Sequence, residues 1–393
     1  MKRLLLAGVS TRAAAESAAR AGFAVTAIDA FGDLDQHPSV KVVATEGAFT
    51  ARGAAEAARR IDCDAVVYLA NFENHPRAVN VLAEGRALWG NPPAVIRRVR
   101  NPALLADALR KRGFASPEVR LPAAPKRALG SPARDGGKPD ATSVQYLLKP
   151  LASGGGQRIR PWRSGDDVPR GCYLQELIEG TPGSVVFVAA GGRAVPIGLS
   201  RQLVGDQAFG ASGYQYCGNI LADPDAALAD TAGALARAVT EEFGLVGLNG
   251  IDFIVRDGIP YAVEVNPRWC ASMELVERAR GLPVLAAHAA ACADGKLPDV
   301  DLWTKRGAGR EPAFGKAVVY ARQDVAIGDT HAWLARDDIR DIPHPGERIR
   351  AGRPVCTVFA TGRDAAMCHE ALAGTAGHIY AQLDAWQRGI PPS

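Results

Sequence analysis

Gly250-Ile251-Asp252-Phe253-Ile254-Val255, a break at Asp257-Gly258, then Tyr261-Ala262-Val263-Glu264-Val265-Asn266-Pro267-Arg268 is the stretch that decides the fold. Two apolar runs flank a turn, the pattern of a β-hairpin. Each run carries acidic or amide oxygens inside its apolar pattern. An isolated carboxylate is costly to bury without a partner cation. Three oxygen side chains and an arginine in one hairpin therefore point to a magnesium–phosphate site instead of core. Glu264 and Asn266 are two apart and share a face. A plain two-residue turn would pair Arg256 with Ile259 and leave Asp252 facing away from Glu264. One extra residue pairs Arg256 with Pro260 and sets Asp252 opposite Glu264. A three-residue or bulged turn is therefore expected, with Asp252, Glu264 and Asn266 on one face. Tyr261, Val263 and Val265 are expected on the other, toward the core.

Upstream lies Lys149-Pro150-Leu151-Ala152-Ser153-Gly154-Gly155-Gly156, behind an apolar run from Val144. A glycine-rich loop can lay backbone N–H groups over phosphates, and a lysine at a strand end adds a point charge. Gln175-Glu176-Leu177-Ile178 fits a strip whose backbone reads a purine edge between apolar neighbours. Residues 97–113 read as one helix bearing Arg97, Arg98, Arg100, Arg110, Lys111 and Arg112. Residues 121–143, rich in Pro, Ala, Gly and Ser, read as a long, mobile, exposed loop. Arg201-Gln202 and the segment Gly213–Asn219, with Tyr214 and Tyr216, lie between strip and hairpin, where the Arg201 guanidinium suits a carboxylate and either tyrosine suits stacking on a ring.

Toward the start, residues 3–9 read as a strand, 11–21 as an alanine-rich helix, 24–29 as a strand ending at Asp29, 51–60 as a helix and 65–70 as a strand. This alternation predicts a parallel, Rossmann-like sheet. Gly8-Val9-Ser10-Thr11 lacks the second glycine of a dinucleotide fingerprint. Helices are expected over 225–243, 272–280, 283–294 and 364–386, with strands and turns from 301 onward. Met1–Leu6 mimics a signal peptide, but the apolar run is short and Ser10-Thr11-Arg12 follows, so a buried first strand is the better reading.

The chain has 393 residues, 47% hydrophobic and 22% charged, with a net charge of +4. These values suit a globular protein of two or three domains. Arginines are spread along the chain, so charge suggests no nucleic-acid partner. No apolar run approaches a membrane span. Seven cysteines are scattered with no C-x-x-C pair, which suggests neither zinc nor a disulfide framework and fits a cytoplasmic setting. Cys217 and Cys270 read as packing residues, and His288 as packed within an alanine-rich helix.

The order of basic helix, lysine with glycine loop, Q-E-L-I-x-G, and D-x-F hairpin running to E-V-N-P-R resembles the ATP-grasp superfamily over roughly residues 1–300. The resemblance implies an α/β chain with an ATP-grasp fold, a Rossmann-like N-terminal domain (1–96), an ATP-grasp domain (97–300, mobile lid about 115–190) and a small C-terminal β-rich domain (301–393). Carried over by position, Lys149 and Arg268 act at the transferring phosphate. Arg100, Gly154, Gly155, Gly156, Gln175, Glu176 and Leu177 hold ATP. Asp252, Glu264 and Asn266 hold Mg2+, for which Mn2+ can substitute. The usual acidic residue for the ribose is missing from Gly180-Thr181-Pro182-Gly183-Ser184, leaving Glu179 as the substitute. The implied chemistry joins a small-molecule carboxylate to an amine through an acyl phosphate, with a homodimer as a possible assembly. The leading segment Leu4–Ala15 and the tail, Asp341-Ile342-Pro343 through Pro354–Ala360, resemble ATP-grasp ligases of one-carbon cofactor biosynthesis in methylotrophs. That likeness implies a tyramine–L-glutamate ligase reaction of methanofuran-type cofactor synthesis. Alternatives are a glutamate ligase acting on a tetrahydromethanopterin precursor and a bicarbonate-using carboxylase. No lysine flanked by methionine marks a biotin acceptor.

Overall fold

Leu4, Leu5 and Leu6 are almost fully buried. They form β1 (Arg3–Ala7), the centre of a parallel sheet completed by β2 (Ala24–Asp29), β3 (Lys41–Ala44), β4 (Ala65–Tyr68) and β5 (Ala87–Leu88) in the order β3-β2-β1-β4-β5. Helices α1 (Arg12–Arg20), α2 (Ala51–Ala58) and α3 (Pro76–Leu82) pack around it. Ala14, Ala15, Ala18, Ala54, Ala55 and Ala58 face inward, and such small side chains let helix and sheet approach closely. The computed structural model describes residues 1–45, 48–122, 144–222, 225–299 and 312–389.

The single basic helix expected over 97–113 is two helices, α4 (Pro93–Val99) and α5 (Pro102–Lys111). Asn101 caps the second by accepting from the Ala103 and Leu104 amides, with Pro102 in its first turn. Proline has no N–H and cannot continue the preceding helix. The break leaves Arg100 at the C-terminal cap of α4.

Next comes a four-stranded antiparallel sheet of β6 (Val119–Arg120), β7 (Tyr146–Pro150), β8 (Arg160–Trp162) and β9 (Cys172–Glu176), ordered β6-β9-β7-β8. It has its own small core of Tyr146, Leu148 and Leu174. The loop expected over 121–143 lies outside the described residues except for 121 and 122.

The largest sheet is antiparallel and draws on β10 (Thr181–Ala190), β11 (Arg193–Val204), β12 (Tyr216–Leu221), β13 (Gly247–Arg256) and β14 (Ile259–Asn266). Helix α6 (Ala226–Phe243) covers its apolar face, and α7 (Ala271–Arg280) and α8 (Val284–Asp294) pack between it and β1 and α1. The C-terminal segment adds β15 (Ala313–Tyr320), β16 (Val325–Ala326), β17 (Ile339–Arg340), β18 (Arg348–Ile349), β19 (Pro354–Gly362) and a helix, Ala365–Gln387. The sheet runs β14-β13-β10-β11-β12-β15-β19-β17, with β16 and β18 paired separately. The C-terminal strands thus extend the same sheet, and residues 181–190, read as the end of the lid, form one of its interior strands. Among the described residues, no helix is long and apolar enough to cross a membrane.

The hairpin corrects one expectation. Arg256 pairs with Ile259, and Asp257 and Gly258 both have left-handed φ, +53° and +77°, as a two-residue type I′ turn requires. The extra residue sits further along. Asp252 pairs with Glu264, yet Phe253 pairs with Ala262, so Val263 is a bulge within β14. A bulge shifts the inside–outside phase of its strand by one. Ile251, Phe253, Ala262 and Val265 therefore enter one core cluster. Contrary to expectation, Val263 lines the cavity described below and Tyr261 stacks under the Arg256 guanidinium at 4.5 Å.

Candidate ATP and metal site

A cavity of about 910 Å³ is lined by Lys149, Gln175, Asp252, Glu264, Asn266 and Arg268 among others. The bulge at Val263 brings Asp252 opposite Glu264, and Gly250 opposite Asn266, on the cavity face of β13 and β14. Asn266 Nδ2 donates to Asp252 Oδ2 at 2.9 Å, and Gln202 Nε2 donates to Asp252 Oδ1 at 2.8 Å. Burial, with Glu264 facing it, pushes the Asp252 carboxyl up to about 6. Glu264 behaves oppositely: burial acts to raise it, but Arg100 and Lys149 outweigh that and hold it below the ordinary carboxylate range. Two carboxylates and an amide make an incomplete oxygen shell. It fits Mg2+, which keeps water and phosphate oxygens in its remaining positions.

Arg100 stands behind Glu264. Its Nη1 bonds to Glu264 Oε1 and, at 3.2 Å, to the Val265 carbonyl. Its Nη2 donates to Asn74 Oδ1 at 3.1 Å. Arg100 is absent from the residues lining the main cavity and instead lines a small recess beside it. The structure thus pairs it with a metal-ligand candidate instead of turning it toward open space. Lys149 is buried and donates to Gln175 Oε1 at 2.9 Å. Gln175 in turn donates to the Val263 carbonyl at 3.1 Å, tying the four-stranded sheet to the bulge.

Arg268 lies 2.8 Å from Glu73 Oε1 and donates to the Trp269 carbonyl at 2.8 Å. Despite burial, Glu73 and neighbouring groups keep its guanidinium protonated. Glu73 was not anticipated, nor was Asn74, whose Nδ2 donates to the Ser153 carbonyl at 3.2 Å. Both follow the carboxyl end of β4, where parallel sheets commonly hold ligands, so position was the available signal. Of the neighbours Arg201 and Gln202, the sequence favoured Arg201. Ser184, Asp252 and Gln202 lie on one face of the sheet, whereas Arg201 pairs with Gly183 and Ile220 on the other and is exposed. Arg201 does not line the cavity.

The glycine loop reaches over the site. Gly155 and Gly156 line the cavity, and Gly154 does not. The Tyr216 amide donates to the Gly155 carbonyl at 3.1 Å. Gly156 has φ +74°, and a Cβ there would meet the Tyr214 carbonyl oxygen at 1.7 Å. Tyr214 and Tyr216 both line the cavity, and the Tyr216 hydroxyl bonds to Asn219 Oδ1. In the Gln175–Ile178 strip, the Leu177 amide donates to the Gln145 carbonyl at 2.8 Å, and the Glu176 carboxylate accepts from the Glu118 amide at 2.9 Å. Both groups are therefore committed to the four-stranded sheet. Glu179 is exposed on the cavity wall. Burial pushes the Cys217 and Cys270 thiols up to about 11 and about 12, opposite to what a nucleophile needs. His288 is packed, its Nδ1 accepting from the Leu248 amide at 2.9 Å.

Residues 101–272 match the family model described as the ATP-grasp domain. The four-stranded sheet, the glycine loop and the hairpin that carries Asp252, Glu264 and Asn266 all fall within that span. An uncharacterized protein of Methanocaldococcus jannaschii is 31% identical over 124 residues, 31% of this chain, and the match spans 28% of that relative's length. The chain is similar in structure to an L-amino acid ligase from Bacillus licheniformis, with a TM-score of 0.68 at 15% identity over 96% of this chain and 97% of that one. It is also similar to the biotin carboxylase domain of Hydrogenobacter thermophilus 2-oxoglutarate carboxylase, solved with MgADP and bicarbonate. There the TM-score is 0.65 at 14% identity, covering 91% and 85% of the two chains. At such identities the likeness concerns the ATP-grasp fold alone.

Proposed function

We propose that the protein is an ATP- and magnesium-dependent ligase that joins a carboxylate to an amine. The supporting observation is the meeting of Asp252, Glu264 and Asn266 with Lys149 and Arg268 around one cavity. In this reading Asp252, Glu264 and Asn266 hold Mg2+, which neutralises charge on the phosphates of bound ATP. A carboxylate oxygen of the substrate attacks the γ-phosphorus, and the bond to the ADP oxygen breaks. Lys149 and Arg268, fixed by Gln175 and Glu73, stabilise the charge on the transferring group. The amine nitrogen then attacks the acyl carbon, phosphate leaves, and a proton passes to solvent. The docked glycine loop keeps water from the acyl phosphate.

For the substrates we propose tyramine and L-glutamate, supported by the likeness of the leading segment and tail to ligases of one-carbon cofactor synthesis. The test is ADP release by purified protein across a matrix of carboxylates and amines, with products identified by mass. Release requiring both partners, with an amide of the expected mass, supports the ligase. Release driven by bicarbonate without any amine replaces it with the carboxylase reading. Activity with a pterin-type acid and glutamate, but none with tyramine, overturns the substrate pair and leaves the reaction class.

A further inference from the structure

Three acids follow the end of β2, and their surroundings differ. Asp29 is saturated: it accepts from the Thr11 amide and hydroxyl and from the Phe31 and Gly32 amides. Asp35 accepts from the Asp341 and Ile342 amides and lies 3.6 Å from Arg12. Asp33 is different. It is 8% exposed and lines the cavity, yet its Oδ2 has no hydrogen-bond partner among the described residues. Asp341 stands on the same wall, one oxygen bound to Arg12 and the other to Thr357. Burial, then the charges of Asp341, Asp29 and Asp35, push Asp33 well above the ordinary carboxylate range. The balance of charge is negative here. Arg12 answers Asp35, Asp341, Glu274 and Glu16, Arg20 also reaches Glu16 at 3.4 Å, and Lys316 is committed to Glu274 at 2.6 Å. Arg353, the other cation of this lobe, is exposed at its rim. A buried carboxylate without a donor calls for a cation. A metal is a poor fit, because the neighbouring Asp35 and Asp341 oxygens are already taken by backbone amides, Arg12 and Thr357, which leaves Asp33 as a lone ligand. An organic ammonium is a better one, since Phe31 lines the same wall while 43% exposed.

We propose that the lobe walled by Phe31, Asp33 and Asp341 seats the amine substrate as its ammonium ion, with Asp33 as the counter-charge and Phe31 against the apolar body. The proposal rests on the ligase reading for the word substrate, not for the binding. A cavity of this size, at the upper end of the range for small-molecule sites, has room for an amine beside a nucleotide.

The test is calorimetric titration of the full-length protein, without ATP, with tyramine and with phenethylamine, using 4-hydroxyphenethyl alcohol as the uncharged analogue. Binding of both amines in preference to the alcohol is expected, weakened about tenfold or more by Asp33→Asn. Phe31→Ala, at an exposed position, should weaken both amines while ATP affinity is kept. Equal affinity of Asp33→Asn and the parent for amines overturns the assignment and leaves Asp33 a structural acid, as does a failure of both amines to bind. If amines bind as expected but never stimulate ADP release with any carboxylate, the ligase reading falls and the subsite stands. If amines stimulate release but Asp33→Asn has an unchanged KM for them, the subsite falls and the ligase stands.

Discussion

Asp252 shows how a single residue can couple stability to function. Its carboxyl is raised from an ordinary 3.8 to about 6 by burial and by Glu264. A raised acid contributes stability below its unfolded value and loses it as pH rises through the folded one. At neutral pH the metal-free protein therefore carries a burden of about 3 kcal/mol from an ionised Asp252. Asp252→Asn should raise the melting temperature of the metal-free protein at pH 7 to 8, with the gain shrinking toward pH 4. A melting series in EDTA checks this, and a pH-independent difference would contradict it. The same substitution should lower magnesium-dependent ADP release by about 100-fold, since one ligand loses its charge. In the parent, magnesium affinity should fall as pH drops through about 6. Glu73, which faces Arg268 and not Asp252 or Glu264, makes a parallel case. Glu73→Gln removes the charge facing Arg268, and kcat should fall about 10- to 100-fold with little change in KM for ATP. A change confined to KM would show that Glu73 only shapes the nucleotide pocket.

At the scale of elements, small departures from regular structure carry the site. The bulge at Val263 lets one strand send Val265 and Ala262 to the core and still present Glu264 and Asn266 to the cavity. The cap at Asn101 stops α4 so that Arg100 projects onto Glu264 instead of continuing along a helix face. The glycine loop docks because Gly156 lets its backbone lie against the Tyr214 carbonyl. Gly156→Ala should undock the loop, since both the contact and φ +74° oppose a side chain. We expect KM for ATP to rise about tenfold, with the main thermal transition kept, because the contact is local to the lid. Steady-state kinetics with a melting curve separates this from general unfolding. The lysine with its glycine loop and the acidic hairpin could be read from residue types alone. The bulge position could not, because a two-residue turn plus a strand bulge and a three-residue turn give the same facing of Asp252 and Glu264.

Across the whole molecule, the parts meet on a buried arginine. Arg12, fully buried in α1, reaches Glu274 of α7 at 2.5 Å and Asp341 of the C-terminal segment at 2.7 Å. Burial opposes its charge, but Asp341, Glu274 and Asp35 together keep it firmly protonated. Glu274 is held well below the ordinary range by Arg12 and Lys316 in spite of its own burial. Removing one member of such a set leaves uncompensated buried charge, at about 3–5 kcal/mol. Arg12→Met should therefore lower the midpoint of denaturant unfolding strongly, and Arg12→Met with Glu274→Met should recover part of the loss. Additive losses in that cycle would show that the two residues act independently.

Local pattern by itself determined the parallel leading sheet, the oxygen-bearing hairpin, the lysine with its glycine loop and the ATP-grasp order, because these follow from period, turn chemistry and charge within short windows. Arg201 illustrates what local pattern misses: its residue type suits a carboxylate, but β11 turns it to the far face and gives the cavity to Gln202. Only tertiary structure decided that Glu73 would hold Arg268, that Arg100 would back Glu264, and that Asp33 would be left without a donor beside Asp341. Each of those pairings joins residues far apart in the chain, and whether a charge is answered or stranded depends on burial and on which other element supplies its partner.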